Sequence, residues 1–115
     1  MPRFAILAHD YPAPHWDLFL EAGPVLRSWR IANPLVPGDP IAAEPTPDHR
    51  LDYLDYEGPV SGGRGTVTRV DAGTFSYQLD EPNRVSIQLT GVRFVGRLII
   101  ERTAGGWACV FHPAD

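Results

Sequence analysis

His9-Asp10-Tyr11-Pro12-Ala13-Pro14-His15-Trp16-Asp17-Leu18-Phe19-Leu20-Glu21 carries both the fold signal and the chemistry of this chain. After Pro14, apolar and polar side chains take turns, as they do in a half-buried strand. Side chains two apart in a strand share a face, so His15 and Asp17 are expected to point the same way. His9 lies beyond a segment with two prolines, which can bend the chain back toward that face. Two imidazoles and one carboxylate on a rigid edge suit a divalent transition metal with positions left open for water or substrate. The competing reading of a His-x-Asp pair is a solvated strand edge or a local hydrogen bond, and spacing alone leaves both open.

Outward from this stretch the same alternation recurs, punctuated by glycine and proline. Phe4–Ala8, Trp16–Glu21, Val25–Ile31, Gly65–Asp71, Thr74–Leu79, Arg84–Thr90, Arg93–Glu101 and Trp107–Phe111 all read as strands. Asn33 through Pro47 holds Pro34, Pro37, Pro40, Pro45 and Pro47 and reads as an extended surface loop, because proline deters both helix and central strand. Leu51–Tyr56 is expected to hold at most one short turn. Many short strands with little helix point to an all-β fold, a small closed or partly closed antiparallel barrel of about eight strands.

Length and composition agree with one domain over residues 1–115. With 43% hydrophobic residues, the chain can bury one core but not two. No apolar run is long enough for a membrane-spanning helix. Met1-Pro2-Arg3-Phe4 lacks the apolar stretch of a signal peptide, which leads to a cytoplasmic expectation. The single cysteine, Cys109, sits in the alternating Trp107-Ala108-Cys109-Val110-Phe111 and reads as a small core residue. A net charge of −4 without any lysine argues against a long basic face for nucleic acid, but leaves room for a small basic pocket.

Other candidates are more dispersed. His49 follows the proline-rich segment and precedes Leu51-Asp52-Tyr53, a plausible pocket rim, while Tyr53 and Tyr56 are as readily core aromatics. Arg50 and Arg64 are candidate anion ligands, Arg64 lying in Ser61-Gly62-Gly63-Arg64-Gly65. Such a glycine-rich loop can present N–H groups to an anion, yet between two strands it is more often a hairpin. The arginines at 27, 30, 69, 84, 93, 97 and 102 are expected to face mostly solvent. His112 reads as a frayed, solvated end.

These residues together resemble the 3′-phosphoesterase domain found at the N-terminus of bacterial DNA ligase D proteins. Phe4, His9, His15, Trp16, Asp17, Leu20 and Glu21 fall in that family's opening register. Val25-Leu26-Arg27-Ser28-Trp29 is similar to its Val-Leu-x-Ser-Trp strand. Asp48-His49-Arg50-Leu51-Asp52-Tyr53-Leu54-Asp55-Tyr56-Glu57-Gly58 is similar to its Asp-His-Pro-Leu-Asp-Tyr-x-x-Phe-Glu-Gly. Gly65-Thr66-Val67, Asp71, Gly73-Thr74-Phe75, Leu89-x-Gly91-x-Arg93-Phe94-x-Gly96 and Trp107 continue the likeness to the end.

The resemblance implies that His9, His15 and Asp17 bind a divalent metal, Mn2+ first, with Co2+ or Zn2+ as alternatives. It implies that His49 and Tyr53 lie near the scissile phosphate. The implied activity is removal of 3′-terminal phosphates and ribonucleosides from DNA ends, a repair step that leaves a 3′-hydroxyl. The chain also departs from the family. Three cations of the family fall at Phe19, Asn33 and Ile41, its glutamate two before the His falls at Pro47, and the loop after Glu57-Gly58 is shorter. Those cations grip the phosphate in the family, so the ligand set is kept while the phosphate clamp is replaced.

Three function classes follow. The first is a metal-dependent phosphoesterase acting on nucleic-acid 3′-ends or a smaller phosphate ester. The second is an accessory module that binds metal or DNA ends without turnover, with partners among end-joining proteins. The third is a non-haem iron oxygenase, since His-x-Asp with a distant His is also a facial-triad pattern. His49 and His112 lack the context that this third reading needs.

Overall fold

A computed structural model describes residues 1–115. It contains nine strands: β1 (Arg3–His9), β2 (His15–Ala22), β3 (Val25–Ile31), β4 (Ile41–Arg50), β5 (Gly58–Pro59), β6 (Thr66–Glu81), β7 (Arg84–Gly91), β8 (Val95–Thr103) and β9 (Gly106–Pro113). The one helical element is a 3-10 turn, Leu51–Leu54, inside the stretch expected to hold a short turn. The pairings are antiparallel, and β1 pairs with β6 as well as with β2. Following the ladder from β1 through β2, β3, β4, β9, β8, β7 and β6 therefore leads back to β1. Eight strands close a ring, with β5 a short addition beside the start of β6. The expected antiparallel barrel is the observed fold.

The alternation of the sequence explains how the ring is filled. One cluster draws on every strand of the ring, including Phe4 and Ile6 of β1, Leu18 and Leu20 of β2, Ile87 and Leu89 of β7, and Cys109 and Phe111 of β9. Strands β1 and β2 are also covered on their outer face, so Phe4–Leu7 and Asp17–Leu20 are buried without interruption. That cover is a smaller cluster of Ala5, Leu7, Phe19, Leu26, Leu54, Val60 and Val67. Burying a leucine or valine of this kind contributes about 1.5–3 kcal/mol. Leu54 and Val60 thereby hold the 3-10 turn and the loop after it against the wall. Arg3 braces the turn from outside. Its guanidinium donates to both oxygens of Asp55, at 3.3 and 2.6 Å, and these bonds hold the Asp55 carboxyl below the usual carboxylate range.

Three expectations need correction. The surface loop from Asn33 ends before Ile41, where β4 begins. Pro45 and Pro47 lie within β4 beyond its last pair with β9, Ala43 with Trp107, where β3 is its only partner. A strand edge tolerates proline, because no neighbour there needs the missing N–H. Gly65–Asp71 and Thr74–Leu79 are parts of one strand, β6, which has β1 and β5 beside its first half and β7 beside its second. Gly73 permits the changeover, since a side chain there would strike the backbone of Thr90. His112 is no frayed end: it pairs with Arg97 in β9 and is exposed. Cys109 is fully buried, as expected. No helix is long and apolar enough to cross a membrane.

Candidate metal centre

The hairpin of β1 and β2 puts His9 directly opposite His15 and Leu7 opposite Asp17. All three polar side chains emerge on the outer wall, on the same side as Phe19 and the smaller cluster. His9 Nδ1 lies 3.7 Å from Asp17 Oδ2, and His15 Nε2 lies 3.4 Å from the same oxygen. One ligand atom from each of the three residues falls within 4.8 Å of the others. Ligands about 2.1 Å from a tetrahedral ion stand roughly 3.4 Å apart, so the spacing suits a small divalent cation.

Hydrogen bonds to the backbone orient both rings. His9 Nε2 donates to the Arg64 carbonyl at 2.8 Å, and His15 Nδ1 donates to the Ala13 carbonyl at 2.9 Å. In the neutral rings these bonds leave lone pairs on His9 Nδ1 and His15 Nε2, the two atoms that face the carboxylate. His15 Nε2 is buried and has no hydrogen-bond partner. Two lone pairs and a carboxylate converging in a buried spot repel one another unless a cation lies among them. The donor set therefore fits a metal.

A cavity of about 280 Å³ opens over these ligands, lined by His9, Asp17, Phe19, His49, Tyr53 and Arg64 with Tyr11, Pro12, Arg30, Val60 and Val67. His49 arrives from β4, where it is paired with Leu26 of β3. Its Nδ1 donates to the Pro47 carbonyl at 2.8 Å, which leaves Nε2 for a ligand. Phe19 forms the floor, its ring 5.0 Å from His49 and 5.8 Å from Tyr53. Tyr53 meets His49 edge-on at 5.8 Å. Four of the five residues assigned to metal and catalysis from sequence thus share one cavity, and His15, which lines the cleft beside it, abuts Asp17.

The two arginines proposed for the substrate separate. Arg64 lines the metal cavity, yet its guanidinium folds back on its own loop, donating to the Ser61 carbonyl at 2.7 Å and to Ser61 Oγ at 3.2 Å. Its loop is fixed by close approach to the β1–β2 connection. Thr66 N–H donates to Asp10 Oδ1 at 2.7 Å, and Gly65, at φ +76°, leaves no room for a side chain against Asp10 and Tyr11. Arg50 is exposed and faces a neighbouring cleft with Asp52, Tyr56 and Ser61. Alternation sends it away from His49. Phe19 and Ile41 are buried apolar residues, and Asn33 lines a separate cavity beside Arg93. None of the three departures is reversed by a substitute at the same place.

One cation was missed. Arg30 was expected to face solvent with the other strand arginines, but it and Arg27 are half-buried. Arg30 sits on β3 directly opposite Asp17, and it lines the metal cavity. Its signal was present in the turn. Gly23-Pro24, with Gly23 at φ +61°, is a two-residue connection that pairs Ala22 with Val25. Counting outward from such a turn fixes the register and brings residue 30 to residue 17.

Comparison with known proteins agrees with the architecture. The sequence pattern of the DNA Ligase D 3′-phosphoesterase domain matches residues 7–109. The chain is 34% identical over 111 residues to the multifunctional non-homologous end joining DNA repair protein LigD of Mycobacterium tuberculosis, covering 89% of this chain and 15% of that protein. It is 32% identical over 112 residues to the multifunctional non-homologous end joining protein LigD of Pseudomonas aeruginosa, covering 88% of this chain and 13% of that protein. The chain thus spans only a small part of the relatives it matches.

Proposed function

The chain belongs to the DNA ligase D 3′-phosphoesterase family, and from that premise we propose that it is a metal-dependent phosphoesterase acting on nucleic-acid 3′-ends. Membership supports a DNA-repair role in end processing. The finer reading is removal of a 3′-terminal phosphate or ribonucleotide to leave a 3′-hydroxyl. The observation that most supports it is the convergence of His9 Nδ1, His15 Nε2 and Asp17 Oδ2, with both imidazoles oriented by backbone carbonyls.

His9, His15 and Asp17 would hold the ion, Mn2+ with Co2+ or Zn2+ as alternatives. A divalent ion there supplies Lewis acidity toward a phosphoryl oxygen and a bound water of lowered pKa. His49 does the proton work. With Nδ1 donating to Pro47, its Nε2 in the protonated ring donates to the phosphoryl group or to the leaving oxygen. Tyr53 steers that ring by its edge-on contact, and Phe19 shields the floor from water.

The test is a primer-template bearing a 3′-phosphate or a 3′-terminal ribonucleotide, incubated with the protein and Mn2+. Conversion that disappears in Asp17→Ala is expected. His49→Ala should lower kcat by roughly 10²- to 10⁴-fold while Mn2+ binding persists. Mn2+ binding without conversion would replace this reading with the accessory module. That alternative draws support from the apolar side chains at positions 19 and 41 and from the outward placement of Arg50.

A further inference from the structure

Arg30 joins two cavities. It lines the metal cavity, and it also lines a cleft of about 360 Å³ formed with Pro12, Pro14, His15, Ala32, Ala42 and Glu44. Its Nε is buried and has no hydrogen-bond partner. The two carboxylates on its row are cross-strand neighbours, Asp17 on β2 and Glu44 on β4. Neither forms an ion pair with it; Asp17 faces the two imidazoles instead. Of the two arginines on the metal cavity, Arg64 is already bonded to Ser61, so Arg30, half-buried and without a hydrogen bond or ion pair, is the one whose guanidinium is free to take an anion.

We propose that Arg30 is the residue that positions the phosphate group of the substrate, between the metal ligands and the neighbouring cleft. An occupied metal centre would carry net positive charge with only Asp17 to offset it. A guanidinium beside it is then repelled, unless an anion sits between the two. A phosphate meets both demands, because its oxygens match the donor fork of a guanidinium and also bind a divalent ion. No hydrogen bond or ion pair inside the protein competes for the guanidinium, so a charged partner in the cavity is a net gain. The role falls to β3, which makes the clamp of this chain a matter of strand register with the metal ligands. The inference rests on the phosphoesterase reading for its substrate but not for its test.

The probe is inorganic phosphate, titrated into the full chain. Without metal it is followed through the arginine Nε–H resonance, and with Mn2+ through broadening of the phosphorus signal. In Arg30→Ala, phosphate affinity is expected to fall by about 10- to 100-fold, as for loss of a charged hydrogen bond. Arg30→Gln, which keeps bulk without charge, should behave alike, and Arg30→Lys should recover part of the loss as a point charge. Mn2+ affinity should not fall in any of the three, and without phosphate it should rise in Arg30→Ala and Arg30→Gln, because Arg30 donates no lone pair to the ion and its charge repels it. Phosphate binding unchanged in Arg30→Ala, or absent from the parent protein, would overturn the proposal. So would a Mn2+ affinity that falls in step with phosphate, since Arg30 would then be a support for the ligands. A protein that binds phosphate through Arg30 yet hydrolyses no 3′-phosphate would sink the phosphoesterase reading alone.

Discussion

Asp17 and Asp71 are both buried carboxylates on the same barrel, 7% and 4% exposed, and they are satisfied in opposite ways. Asp71, on β6, accepts three backbone hydrogen bonds from the turn between β7 and β8. Val92 and Arg93 donate to Oδ1 at 3.0 and 3.1 Å, and Phe94 donates to Oδ2 at 2.8 Å. Asp17 has no such donors; it faces two imidazole nitrogens whose protons are directed elsewhere. The difference separates structure from function in residues of one type. A carboxylate saturated by N–H groups fastens a loop, whereas one facing lone pairs suits the cation proposed for it.

The largest expected break in this comparison is Asp71→Ala. Three N–H groups would lose a charged acceptor at once; that of Phe94 is left buried and unmet, while those of the exposed Val92 and Arg93 can turn to water, so the loss should be about 2–4 kcal/mol. Urea unfolding measures it, with Asp71→Asn less severe because one acceptor oxygen remains. Mn2+ affinity should be unaffected in whatever fraction folds.

Asp17→Asn should do the reverse. The metal-free variant is expected to be as stable as the parent or more so, since a buried charge facing lone pairs is removed. Its Mn2+ affinity should fall by well over about 100-fold, beyond what loss of an outer partner costs. The parent should gain about 2.7 kcal/mol at an ion concentration a hundred times Kd, visible as a raised Tm that a chelator reverses. The variant should gain nothing. A destabilised metal-free Asp17→Asn would mean that the two carboxylates play the same part.

Cys109 sharpens the comparison as a third buried ionisable group, one with neither donors nor cation. Burial pushes its thiol up to about 11. In the unfolded chain the thiol ionises near 8.5, so above that pH the unfolded state binds fewer protons than the folded one. Stability therefore falls as pH rises from about 8.5 toward 11, by at most about 1.4 kcal/mol per pH unit. Cys109→Ala should remove that component, read as the difference between the two unfolding curves across this range.

The fold was legible because most strands of the ring bury one face, which makes polarity alternate where the backbone does; β1 and β2 bury both. Its misreading at β4 has a local cause. Pro45 and Pro47 argue against a strand only if both neighbours need hydrogen bonds, and beyond Ala43 only β3 does. The clustering of His9, His15 and Asp17 was visible because His15 and Asp17 share one strand face and His9 stands across a single hairpin. Arg30 stayed hidden since its relation to Asp17 runs between strands, through the register of the Gly23-Pro24 turn. Arg50 misled for the converse reason: adjacent to His49 in sequence, it lines the next cleft, on the far side of Tyr53 and Val60 from the proposed metal ligands.

The closed ring also orders events in time. The ligand hairpin joins His9 to His15, a short span that a growing chain can pair early. The ring's seams instead join His9 to Val67 and Ile41 to Cys109, and contacts between such distant residues are slow to close. On a ribosome, the hairpin that bears the imidazoles and the carboxylate would therefore be made well before β6 and the loop carrying Arg64 arrive. Because the Arg64 carbonyl is what turns the His9 ring, the proposed ion site would be completed only when that late loop arrives, so any ion would be chosen by the closed barrel and not by the supply met during synthesis.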